Sequence, residues 1–200
     1  MIRALLIAFT GLFFSVVSYA QDEQHTTDVS TLNFFAPGVG YEKAISKNST
    51  LYGSAYLNFS FYYRYSSAFG DETHFSVNPG FTLQYRHYYN FYGREERGRR
   101  TEMNSANYIA PVLYVVYSKD RVANSDLNEA DRRPITTLGA VWGMQRNYRK
   151  RFSLNLNLGV GYYFAKGTVL TGSGNQIKVN RQDWTTLGSL NLGFWINKRK

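Results

Sequence analysis

Residues 152–164 run Phe-Ser-Leu-Asn-Leu-Asn-Leu-Gly-Val-Gly-Tyr-Tyr-Phe, with an apolar residue at every even position and mostly Ser, Asn and Gly between. A period of two held this long predicts an extended strand with one apolar and one small, polar face. The pattern recurs at 51–65, where Leu51, Ala55, Leu57, Phe59, Phe61, Tyr63 and Tyr65 share a face. It recurs again at 75–89, where Phe75, Val77, Phe81, Leu83, Tyr85 and Tyr89 do. Weaker copies lie at 32–45, 106–118, 135–146 and 184–196, and 108–117 is apolar on both faces. Seven strands are predicted in this way. Closed bacterial barrels carry an even number, so the eighth is expected in 21–36, with a break near Pro37-Gly38.

The connections alternate in length. Those at 47–49 and 147–151 are short, whereas 66–74, 119–134 and 167–183 are longer and polar. Short turns on one side and long loops on the other is the arrangement of outer-membrane barrels, with the short turns periplasmic. The link 91–105 departs from it, being long on the short side.

Alternation alone does not say which face is outside, because a secreted soluble β-protein buries the face that a membrane barrel shows to lipid. With the short turns periplasmic, Tyr63, Tyr65, Phe75, Tyr162, Phe164 and Trp184 form one belt of outward aromatics. Tyr41, Tyr85, Tyr89, Tyr108, Trp142, Phe152 and Phe194 form the other. Between them fall Ala55, Leu57, Leu83, Val112, Leu138, Ala140, Leu156, Leu158, Leu190 and Leu192. Aromatic girdles around an aliphatic band favour lipid. Of the 14 acidic residues, only Glu42 lies well inside a strand, which agrees, because a soluble barrel scatters charge over its wet face. The fold class read here is therefore all-β, an antiparallel transmembrane β-barrel of about eight strands.

Residues 1–20 sharpen the location. Arg3, an apolar run from Ala4 to Val17 and then Ser18-Tyr19-Ala20 have the three parts of a cleavable secretory signal peptide, and the run is too short for a spanning helix. The expected organisation is a signal at 1–20, a periplasmic tail at 21–30 and the barrel at 31–200. The chain has 0 Cys, so neither disulfides nor a cysteine-linked lipid anchor hold it. Its net charge of +9 and 17% aromatic content suit a strand-rich protein beside an anionic membrane surface.

Candidate chemistry is sparse. Glu42, Arg64 and Arg86 are expected in the lumen, with Glu42 paired to Arg86 because a lone buried carboxylate is costly. Arg121, Arg132, Arg133, Lys178 and Arg181 fall in the presumed outer loops, facing lipopolysaccharide phosphates; interface anchoring is the plainer role for them. His25, His74 and His87 have no metal-ligand spacing. Asp71, His74 and Ser76 share the outer rim and are the one acyl-transfer candidate. Gly172-Ser173-Gly174 reads as a hairpin tip. No cofactor, catalytic residue or nucleic-acid module is expected, and the chain reads as a monomer.

The signal ending Ser18-Tyr19-Ala20, the alternating strands and the last strand Leu190-Asn191-Leu192-Gly193-Phe194-Trp195-Ile196 resemble the small outer-membrane β-barrel proteins of Gram-negative bacteria. The likeness covers nearly all of the chain after the signal. Arg86-His87-Tyr88-Tyr89-Asn90 and Asn104-Ser105-Ala106-Asn107-Tyr108 are similar to uncharacterised members of that group. The resemblance implies outer-membrane lipids and the barrel-assembly machinery as partners. Its implied roles range over structural or surface-binding duty in the cell envelope, a narrow channel for small solutes, and lipid modification. Such proteins usually end the last strand on an aromatic; here Ile196-Asn197-Lys198-Arg199-Lys200 follows.

Overall fold

The computed structural model describes residues 25–64, 72–123 and 125–197, with side chains described for 25–61, 75–123 and 125–197. The expected signal at 1–20, Tyr65 and Asp71 lie outside the described residues, as do the side chains of Tyr63, Arg64 and His74.

Eight antiparallel strands are hydrogen-bonded in a closed ring in chain order. They are β1 (Val29–Asn33), β2 (Gly38–Ser46), β3 (Ser49–Arg64), β4 (Glu72–Tyr88), β5 (Asn107–Ser118), β6 (Arg133–Asn147), β7 (Phe152–Leu170) and β8 (Gln176–Trp195). The eighth strand lies within the stretch expected to hold it and starts two residues before the anticipated barrel boundary. The weak pattern at 32–45 is divided between β1 and β2 by the turn 34–37. There Pro37 has no N–H for a ladder, and its carbonyl accepts from Leu57 N instead.

The wall is uneven. β7 and β8 pair from Phe152↔Phe194 to Leu170↔Gln176, turning at 171–175, where Gly174 takes φ 81; this is the expected hairpin tip. β1 has only five residues and meets β8 at Thr31↔Trp195, Leu32↔Phe194 and Asn33↔Gly193.

The inward faces are polar through most of the ring: Thr50, Asn78, Thr82, Gln84, Gln145, Asn155 and Asn157 are all buried. The outward faces carry exposed Leu57, Phe61, Phe75, Phe81, Leu138, Leu158, Val160, Trp184 and Leu190. One correction concerns β5. Tyr108 and Val112, expected outward, are buried with Ala110, Val141, Tyr88, Phe91 and Ala106 in an apolar cluster, while Ile109 and Tyr117 face out. Room for Tyr108 comes from its partner in register, Gly143, where a Cβ would overlap the Tyr108 ring.

The long link between β4 and β5 has a structural reason. It forms a short helix α1 (Phe91–Glu95) and then folds under the ring. Phe91 packs on Tyr88 with ring centroids 5.2 Å apart. Asn104, at φ 57, holds the chain ahead of β1 through Thr27 N→Oδ1 and Nδ2→Thr27 O, both 2.8 Å. The link closes that end of the ring.

Candidate functional site

The inward alternation of β2, β3 and β4 brings Glu42, Thr50 and Arg86 to one level, because Glu42 pairs with Tyr52 and Thr50 with Arg86 in register. Glu42 and Arg86 are almost fully buried and lie 3.4 Å apart, Oε2 to the guanidinium Nη1. The pair anticipated from charge is therefore present. Thr50 Oγ1 and the Tyr88 hydroxyl each donate to Glu42 Oε1 at 2.6 Å, and Gln145 Nε2 donates to Oε2 at 3.0 Å. Four donors on one carboxylate match its acceptor capacity.

Arg86 is held as firmly. Its Nε donates to Gln84 Oε1 and its Nη1 to Gln145 Oε1, each at 2.7 Å. Its guanidinium carbon lies 3.6 Å from the centre of the Tyr52 ring and 4.6 Å from that of Tyr108. The Tyr108 hydroxyl lies 2.7 Å from Asn157 Oδ1, and Asn157 Nδ2 reaches Ser189 Oγ on β8 at 3.1 Å. The network thus runs from β2 round to β8 across the interior. A carboxylate so fully occupied has no lone pair left to accept a substrate proton, and the low-dielectric setting strengthens each bond that holds it. The arrangement braces the ring from within.

Sequence reasoning found Glu42 and Arg86 because they are charged. It missed Thr50, Tyr52, Gln84, Tyr88, Gln145, Asn155 and Asn157 as members of the same cluster. The parity of Asn155 and Asn157 was visible as a polar face, but nothing in the sequence sets which residues of different strands share a level. Arg64, expected nearer the outer side than this pair, has its backbone opposite Glu72 at the other end of β3 from Thr50, about 46 Å along an extended strand.

Above this floor lies a cavity of about 440 Å³, lined among others by Tyr52, Ser54, Tyr56, Thr82, Tyr114 and Leu187. The Tyr56 ring covers Gly80, where a Cβ would meet it, and Thr82 Oγ1 donates to the Tyr56 hydroxyl at 3.3 Å.

Of the basic residues expected in the outer loops, Arg121 and Arg132 lie between strands, whereas Arg133 opens β6 and Lys178 and Arg181 lie in β8, because β7 and β8 run on as a long hairpin. Arg133 donates to the carbonyls of Ser118, Asp120 and Lys166, and Arg132 to that of Val77 at 3.0 Å. Lys178 Nζ, on a largely exposed side chain, lies 3.8 Å from Glu129, the backbone amide of Arg121 donates to Asn128 Oδ1, and Arg181 Nε is buried without a hydrogen-bond partner among the described residues. At the rim, the Ser76 hydroxyl donates to Asp120 Oδ2 at 2.7 Å. Asp71 and the His74 side chain fall outside the described residues. Among the described residues, no three His, Asp or Glu gather as a metal site.

Compared with known protein families, with curated proteins and with solved structures, the chain gives no match.

Proposed function

We propose that this chain is an integral outer-membrane β-barrel with a blocked lumen, serving a structural or surface-interaction role in the cell envelope. The observation that carries the reading is the direction of the alternation. Polar side chains fill the ring, whereas Phe61, Phe75, Leu138 and Trp184 are more than half exposed on its outside. Monomeric soluble proteins rarely expose apolar patches beyond a few hundred Å², and an apolar outer band bounded by aromatics suits lipid.

The outer side of the band has Phe75, Phe164 and Trp184, and the inner side Tyr41, Tyr85, Tyr89 and Phe194, all exposed. Trp184 and Phe194 lie ten residues apart on β8, about 25 Å of height at a usual tilt, which matches the thickness of such a band. A conducting pore is disfavoured by the Glu42–Arg86 floor and by the link folded beneath it. Acyl transfer at the rim is disfavoured by the commitment of the Ser76 hydroxyl to Asp120.

The test is electrophoretic mobility of the detergent-purified protein with and without boiling, together with fractionation of the cells that make it. Heat-dependent mobility and recovery in the outer-membrane fraction are expected. Identical mobility with solubility in plain buffer overturns the reading.

A further inference from the structure

The ring has a notch in its wall. Beyond Gly38↔Tyr56, β3 continues to Arg64 with no described partner strand on its β2 side. Beyond Asn33↔Gly193, β8 continues back to Gln176 with none on its β1 side. The short β1–β2 hairpin, ending at Phe34 and Phe35, is the sill between them.

The cavity borders this notch. Its lining includes every β8 residue from Thr186 to Asn191, and Ala36 on the sill. Consecutive strand residues point to opposite faces, so a cavity lined by all of them, Gly188 included, lies against the backbone of β8 along its free edge. The inward Leu187, Ser189 and Asn191 are only half-buried, in contrast to buried Asn155 and Asn157 on β7. On β8 the notch begins beyond Leu192, whose carbonyl accepts from Phe34 N, and runs past Trp184, through much of the depth of the apolar outer band. Free backbone groups at that depth need partners.

We propose that the cavity is a lateral binding site for an uncharged amphiphile taken from the surrounding lipid, one with a polyol head and a medium-length acyl chain. The inference rests on the outer-membrane reading. The lining selects the class. Ser54, Thr82, Gln84 and Asn157 offer hydroxyls and amides to a polyol, while Tyr56 and Leu187 offer apolar surface beside the notch. Among the lining residues Arg86 alone is charged, and Glu42 stands 3.4 Å behind it. An anionic head would lose its hydration there without meeting a free cation. The volume lies within the usual range of small-ligand sites.

The test uses the full barrel in lipid nanodiscs and monodecanoylglycerol carrying a diazirine in its chain, with labelled residues mapped by mass spectrometry. Saturable labelling of inward Tyr56 and Ser189 is expected, competed by unlabelled monodecanoylglycerol at least tenfold better than by decanoate. S189W, which fills the cavity, should lose that labelling. G53W should keep it, because Gly53 faces outward with open space around its Cα. If S189W fails to fold, the competition and the inward position of the label decide alone. Labelling confined to outward residues such as Leu57 and Leu158, equal competition by decanoate, or a dimer joined through the β3 and β8 edges overturns the proposal while the barrel reading stands. A chain that does not enter nanodiscs overturns the barrel reading itself.

Discussion

The ring of Tyr108 on β5 lies against Gly143 on β6, in the space a Cβ at position 143 would occupy. Tyr108 is fully buried, and its hydroxyl reaches Asn157 on β7. One glycine therefore lets an aromatic cross the interior and join three strands. G143A should destabilise the folded barrel by about 1–3 kcal/mol, the usual range for overpacking. A urea titration of the protein in lipid vesicles, followed by gel mobility, measures this. G53A, at a position with open space, should change little.

The Glu42–Arg86 pair sets a second expectation. Breaking a buried pair from one side leaves an uncompensated charge, at a cost of about 3–5 kcal/mol, whereas replacing both partners by apolar groups is often far milder. E42Q and R86Q should each lower the urea midpoint sharply, and E42L/R86M should lower it less than either. An additive double variant would show that the two side chains do not act together.

Asn104 links the plug to the first strand. It sits at φ 57 and makes two bonds to Thr27. N104G keeps the backbone conformation and loses both bonds, and N104A adds left-handed strain of about 1 kcal/mol or more. Hydrogen exchange at the Thr27 amide should quicken in both variants, more in N104A. Limited proteolysis should cut ahead of β1 sooner.

Asp28 stands just before β1, and its carboxyl titrates below the ordinary 3.8, chiefly through the hydrogen bond from Lys43 and also through the Ala44 amide. A depressed folded value means that its stabilising contribution is complete above the unfolded value and disappears as pH falls through the folded one. The carboxyl is half-buried and accepts from Tyr41, Lys43 and the Ala44 amide, all within the β1–β2 hairpin region, so the effect is local. A carbon-detected titration should place the Asp28 midpoint below 3.8, and K43M should move it upward.

Much of the architecture was legible along the chain. β3, β4 and β7 hold a clean period of two because one face meets Ser, Asn and Gly and the other meets large apolar groups. β5 was not legible in this sense. Tyr108, Ala110 and Val112 are apolar like Ile109 and Leu113, and only Gly143 and Val141 on the next strand decide which set turns inward. The Glu42–Arg86 pair was readable from charge, but the amides around it depend on register between strands, which no local pattern encodes. The same holds for the notch. Pro37 marks the end of a short hairpin, yet the gap appears only where β1 meets β8. Arg133 looks like a free surface cation in sequence, and folding spends its donors on three carbonyls.

The central claim is that the outer face of the ring meets the bilayer and that the floor of the ring is sealed from it. Trp142 and Trp184 point outward, 37% and 72% exposed, while Trp195 is 2% exposed, with its Nε1 donating to Tyr148 O. Single-tryptophan variants reconstituted into vesicles of brominated phospholipid measure the claim directly. Strong quenching of Trp142 and Trp184 with Trp195 nearly unquenched is the predicted result; quenching of Trp195 above the other two, or of none with the protein left in the aqueous phase, contradicts it.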